Sequence, residues 1–96
     1  MRGSLTAAIG WAAVAVATVA AAEPPAGALS CSGCHATSAR VTTAVPRLIG
    51  LERARIVKAM QEFRTGQRPA TVMDRIAKGF TDDEIQAIAA WYALQR

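Results

Sequence analysis

Both cysteines and the sole histidine of this 96-residue chain fall within five positions, Cys31-Ser32-Gly33-Cys34-His35. Two intervening residues set the thiols about one helical turn apart, the spacing at which they can add across the two vinyl groups of a haem. The histidine that follows then brings an imidazole to the proximal side of the iron. A bare C-x-x-C also occurs in thioredoxin-like dithiols and as half of a zinc site. The first needs a βαβ context that this pattern lacks, and the second needs further cysteines or histidines that the chain does not contain. The motif therefore predicts one covalent haem c, attached through Cys31 and Cys34 and ligated by His35.

Such a group bears on the fold because the rest of the chain is short. Arg2, the uncharged run Leu5 to Ala22, and the small residues Ala20-Ala21-Ala22 before Glu23-Pro24-Pro25 have the form of a secretory signal. The expectation is a signal peptide over residues 1–22, cleaved near Ala22, and a periplasmic domain over residues 23–96. A retained anchor is the competing reading, since the uncharged run approaches the length of a spanning helix. Its alanine-rich composition is only weakly apolar, which favours cleavage. The remaining domain is small enough that side-chain burial alone gives a marginal core. A Cys31–Cys34 disulfide closes too short a loop to constrain much of the unfolded chain. A porphyrin brings a large apolar disc around which short helices can pack.

Charge excludes little else. The chain has 11 Lys plus Arg against seven Asp plus Glu, and without Arg2 ten against seven. Two haem propionates nearly cancel that excess. Nucleic-acid domains concentrate far more positive charge on one face, so no nucleic-acid partner is expected. Arg40 and Arg47 read first as ordinary surface arginines, with pairing to a haem propionate as the alternative.

Along residues 23–96, Pro24, Pro25 and Gly27 mark an extended lead-in, and a first helix is expected to begin within the cysteine motif and fade by about Arg40. Thr42 to Gly50, with Pro46 and Gly50, reads as a loop. From Leu51 to Arg64, Ile56, Val57, Met60 and Phe63 recur at helical spacing, and Gly66 ends the helix. A short helical turn is expected over Asp74 to Lys78, stopped by Gly79. Thr81-Asp82-Asp83-Glu84 has the form of a capping box. It opens a last helix with the stripe Ile85, Ile88, Ala89 and Tyr92, widened by Trp91. No strand pattern or internal repeat is visible, so the domain is predicted to be all-α, with small helices packed around one haem.

With His35 the sole histidine, two-histidine ligation within one molecule is excluded. The sixth ligand is a methionine, a weaker donor such as lysine or a side-chain oxygen, or nothing. Met1 leaves with the signal. Met60 lies in an apolar helical stripe, where a flexible thioether is usually a core filler. Met73 instead follows the polar segment ending in Pro69-Ala70-Thr71-Val72, which is free to cross the distal face of a haem. Methionine–histidine ligation raises the reduction potential and closes the iron to substrate. No catalytic machinery is evident elsewhere in the chain, so no catalysis is expected from it alone.

The C-x-x-C-H motif, the segment Pro46-Arg47-Leu48-Ile49-Gly50 and the late methionine together resemble the pattern of class I cytochromes c. More narrowly, Phe63-Arg64-Thr65-Gly66 and the run from Ala70 through Met73-Asp74-Arg75-Ile76-Ala77-Lys78-Gly79-Phe80 to Thr81 are similar to the cytochrome subunit of flavocytochrome c sulfide dehydrogenases. The resemblance implies thioether bonds at Cys31 and Cys34, axial ligation by His35 and Met73, and a hydrogen bond from the His35 ring to the Pro46 carbonyl. It also implies a division of labour. A separate FAD-containing subunit oxidises sulfide, and the haem subunit passes the electrons on to another cytochrome. Some members of that family carry two haem domains, whereas this chain has one motif and corresponds to the single-haem form. A free diffusible carrier with the same haem fold is the principal alternative, and a haem-based ligand sensor, which needs an open iron, is the third class.

Overall fold

Among the described residues four helices form the regular structure: α1 (Ala28–Cys31), α2 (Arg53–Thr65), α3 (Met73–Ala77) and α4 (Asp82–Leu94). The computed structural model describes residues 2–17 and 23–96, and among these there is no strand. Residues 2–17 are exposed and carry no regular secondary structure. Ala20-Ala21-Ala22 and the expected cleavage position lie outside the described residues. Among the described residues no helix is long and apolar enough to cross a membrane.

The first helix differs from expectation. It precedes most of the cysteine motif and ends at Cys31, and turns and bends replace a helix running to Arg40. Gly27, at φ 84° in the left-handed region, sets its start, a conformation glycine adopts without steric cost. At the other end, Ser30 Oγ donates to the Gly27 carbonyl at 2.6 Å and Ser32 Oγ to the Leu29 carbonyl at 2.6 Å. These local side-chain bonds compete with helix propagation, and Gly33 adds backbone entropy against it. The lead-in is accordingly shorter than read from sequence, since Ala28 to Ser30 are helical.

The later helices follow the sequence closely. Ile56 and Val57 of α2 are buried and Met60 and Phe63 half-buried, and Gly66 closes the helix at φ 79° with its N–H bonded to the Phe63 carbonyl at 3.3 Å. The third helix is shifted by one residue and starts at Met73 itself. At the start of α4 the capping box is complete. The Glu84 amide donates to Thr81 Oγ1 at 3.2 Å, and the Thr81 amide donates to Glu84 Oε1 at 3.0 Å. Thr81→Ala is expected to cost about 1 kcal/mol in urea unfolding. The Thr81 amide, and secondarily its hydroxyl, hold the Glu84 carboxyl below its ordinary value of 4.5. That contribution is present above about pH 4.5 and is lost as pH falls through the lowered native value. Unfolding curves taken across that range should show an acid-side loss that Glu84→Gln abolishes.

Two arginines tie α2 to α4. Arg53 donates from Nε and Nη2 to Gln86 Oε1 at 3.0 and 2.6 Å. Arg64 bonds Asp82 Oδ1 at 2.6 Å and the Phe80 carbonyl at 2.7 Å. Behind them the core joins Ala28, Ile56, Val57, Ile85, Ile88, Ala89 and Tyr92, with Cys31, Leu48, Ile49, Leu51, Met60, Phe80 and Trp91 leaning on it. With Ala77, the buried apolar residues among those described number eight, three of them alanines, and among the described residues Tyr92 is the only large side chain with essentially no exposure. Protein atoms alone give this domain little apolar burial, and a domain of this size needs a supplement.

Candidate functional site

The candidate residues lie at the end of α1, in the turn and loop that follow it, and at the start of α3. After Cys31 the chain winds into a tight turn in which the Cys34 and His35 amides both bond the Cys31 carbonyl, at 3.2 and 2.9 Å. Cys31 is half-buried and Cys34 is exposed. Burial pushes the Cys31 thiol up, against weaker hydrogen bonding from the backbone and from the Tyr92 hydroxyl, so it stays protonated at neutral pH. That turn sets the two cysteines at the spacing that addition to two carbon–carbon double bonds requires.

His35 is half-buried, and its Nδ1 lies 2.5 Å from the Pro46 carbonyl oxygen. A carbonyl only accepts, so Nδ1 carries a proton, and in a neutral imidazole the lone pair is then on Nε2. This is the tautomer a metal-binding imidazole requires, and the outer bond fixes the ring's orientation. Pro46 is itself anchored. The loop behind it closes with the Leu51 amide on the Leu48 carbonyl at 3.1 Å, and the Gly50 amide reaches the Tyr92 carbonyl of α4 at 3.1 Å. The glycine has φ 76°, which permits that approach.

The two methionines are in different settings. Met60 packs against the central cluster, as its helical stripe predicted. Met73 is half-buried at the first position of α3 and is not part of that cluster. Helix α1 packs on α4, and α3 packs on α2, whereas no Cα of α1 comes within 8 Å of one in α3. Each leaves apolar surface uncovered: Leu29 beside the cysteines is 63% exposed, and Val72 and Ile76 around Met73 are 49% and 39% exposed.

These features fit haem. The donors comprise two thiols, an imidazole of the right tautomer and a thioether outside the packed core. Their surroundings, around α1 and α3, keep apolar side chains uncovered, which suits an apolar disc. Among the described residues no group of three or more His, Cys, Asp or Glu is placed to hold a bare metal ion.

One residue departs from the sequence reading. Arg40 is exposed, but Arg47, read as a surface arginine, is half-buried, and its Nε is buried with no hydrogen-bond partner. Its position directly after Pro46 was the available signal, and nothing in residue type marked it.

No protein-family model matches the chain. The chain is 41% identical over 64 residues to the cytochrome subunit of sulfide dehydrogenase from Chlorobaculum tepidum, a match covering 67% of this chain and 58% of that protein. It is 35% identical over 65 residues to a thiosulfate dehydrogenase electron acceptor from Stutzerimonas stutzeri, covering 66% of this chain and 30% of that protein. To cytochrome c-554(548) of Halomonas halodenitrificans it is 32% identical over 70 residues, covering 69% of this chain and 84% of the relative. The chain belongs to the class I cytochromes c. The cytochrome thus spans somewhat over half of its sulfide dehydrogenase relative and under a third of the thiosulfate dehydrogenase acceptor. Membership makes haem c its prosthetic group.

Proposed function

We propose that this cytochrome is the single-haem electron-transfer subunit of a sulfide dehydrogenase, taking electrons from an FAD-containing subunit and passing them to another cytochrome. The reading is carried by the likeness to the Chlorobaculum tepidum cytochrome subunit, and the run Ala70 to Thr81 that suggested it from sequence frames Met73 at the start of α3. When bound, haem c supplies one-electron iron chemistry. Cys31 and Cys34 hold it through thioether bonds, each S–H adding across a vinyl group. His35 presents Nε2 to the iron, with Nδ1 held on Pro46. Met73 supplies the sixth ligand, while Met60 remains in the core. Residues 1–22 direct export to the periplasm and are removed near Ala22, which N-terminal sequencing of the mature protein tests.

The decisive experiment is purification from the source followed by addition of sulfide. Co-purification with an FAD protein, and haem reduction by sulfide only in its presence, is the expected result. A haem protein that never retains flavoprotein and is reduced equally well without it contradicts the subunit reading. It would favour a free carrier, which the 84% coverage of cytochrome c-554(548) supports as the second reading.

A further inference from the structure

The stretch between α2 and α4 carries Met73, and its polar ties to the rest of the chain lie at its two ends. At the near end the Arg68 amide bonds the Glu62 carbonyl at 3.2 Å. The Arg68 guanidinium lies 3.5 Å from Glu62 Oε1 and 5.6 Å over the Phe63 ring. At the far end Arg64 donates from Nη2 to the Phe80 carbonyl at 2.7 Å and from Nη1 to Asp82 Oδ1 at 2.6 Å. Glu62 and Arg64 both belong to the end of α2, so one helix terminus grips the stretch on either side of Met73. In between, the amides of Arg75, Ile76 and Gly79 bond Val72 and Ile76 carbonyls within the stretch itself. Among the described residues no side chain from 69 to 79 makes a hydrogen bond or an ion pair. Ala77 alone in that span is buried.

The two grips differ in strength. Arg68 is exposed and shares Glu62 with Lys58, whose Nζ is closer at 3.1 Å, and a screened pair of that kind contributes little. Arg64 is half-buried, and its bond to the Phe80 carbonyl is charge-assisted. Asp82 is exposed, so its carboxylate serves mainly to orient the guanidinium fork whose other arm takes the carbonyl. We infer that Arg64 is a positioning residue for the axial sulfur, holding the Phe80 backbone against the end of α2 so that the span carrying Met73 stays closed. The inference rests on the Met73 ligation proposed above. Arg64 acts through the backbone and has no part in electron transfer itself. Cutting its tie raises the population in which the span opens locally and the sulfur is withdrawn. An outside ligand that needs the open form then binds more tightly in proportion to that population.

The test is imidazole titration of the ferric, mature holoprotein at a single neutral pH without denaturant, with one covalent haem verified by mass. Imidazole competes for the sixth position, and loss of the methionine–iron absorption band reports displacement of the sulfur. Arg64→Gln is expected to keep that band when imidazole is absent and to bind imidazole roughly tenfold more tightly than wild type, the factor that loss of one charge-assisted hydrogen bond implies. Arg53→Gln is the control. It makes the same charge change on the same helix and cuts the tie to Gln86 of α4, but it leaves the Met73 span untouched. Its imidazole affinity is expected to match wild type. Arg64→Lys keeps the charge without the fork and should fall between Arg64→Gln and wild type. If Arg64→Gln yields no holoprotein, the lysine variant decides. Wild-type affinity in Arg64→Gln, or in Arg64→Lys where it alone forms, overturns the assignment. Equal tightening in Arg53→Gln overturns it too, since general loosening of the fold would then account for both. A wild type without the methionine–iron band would instead sink the Met73 ligation, and this inference with it.

Discussion

Met73→Ala is expected to lower the midpoint potential of the holoprotein on the order of 0.1 V or more, and to let ferrous iron bind carbon monoxide readily. Axial ligands set haem potentials over a range of about 0.8 V, and a thioether lies towards the upper end because it favours the reduced metal. Loss of the sulfur removes that preference and vacates the sixth position under the ligand assignment proposed above. Met60→Ala is the comparison. Met60 packs against the buried core from a half-buried position, so its truncation should cost about 2 kcal/mol, the lower end for a methionine-to-alanine change. It should leave the potential and the methionine–iron absorption band in place. Potentiometry, carbon monoxide titration and urea unfolding on both variants separate the roles. A carbon monoxide-binding Met60→Ala beside a closed Met73→Ala would reverse them.

Much of this arrangement was legible in the sequence because its signals are local. The Thr81–Glu84 box, the Gly66 cap and the stripe Ile85, Ile88, Ala89 and Tyr92 each act within a few residues, and all three stand in the structure as read. The Cys31 to His35 motif is equally local. The first helix was misplaced because two opposing local effects meet there. Spacing of the cysteines suggests a helical turn, while Ser30, Ser32 and Gly33 end the helix at Cys31. Contacts distant along the chain left no trace in residue type. Pro46 was assigned to His35 through family resemblance, and the 2.5 Å contact depends on a loop fixed by Gly50 against the far helix. Arg47 illustrates the same limit: burial of one guanidinium nitrogen follows from packing around it, and composition gives no hint of it.

Tyr92→Phe is expected to destabilise the holoprotein by about 1 to 3 kcal/mol, the cost of leaving a buried acceptor unpaired. Tyr92→Ala is expected to cost about 3 to 5 kcal/mol, comparable to the whole margin a core this small supplies. The asymmetry follows from what the residue does. Its ring is the largest buried side chain, 1% exposed and packed edge-on against Trp91 at 4.9 Å. Its hydroxyl donates to the Ala28 carbonyl at 2.5 Å, across 64 residues, joining α1 to the one helix on which α1 packs. Phenylalanine preserves the ring and deletes only that tie, so the element carrying the cysteine motif loses its hold while the core stays filled. Burial pushes the Tyr92 hydroxyl above its ordinary value of 10.0. A raised native value means the contribution is complete below about pH 10 and disappears as pH climbs through it. Equilibrium urea unfolding from pH 7 to 11 should therefore show an alkaline loss of stability in the wild type that is absent in Tyr92→Phe. A phenylalanine variant within 0.5 kcal/mol of wild type, roughly the spread of neutral surface changes, with the alkaline limb retained, would show that α1 is held by other means.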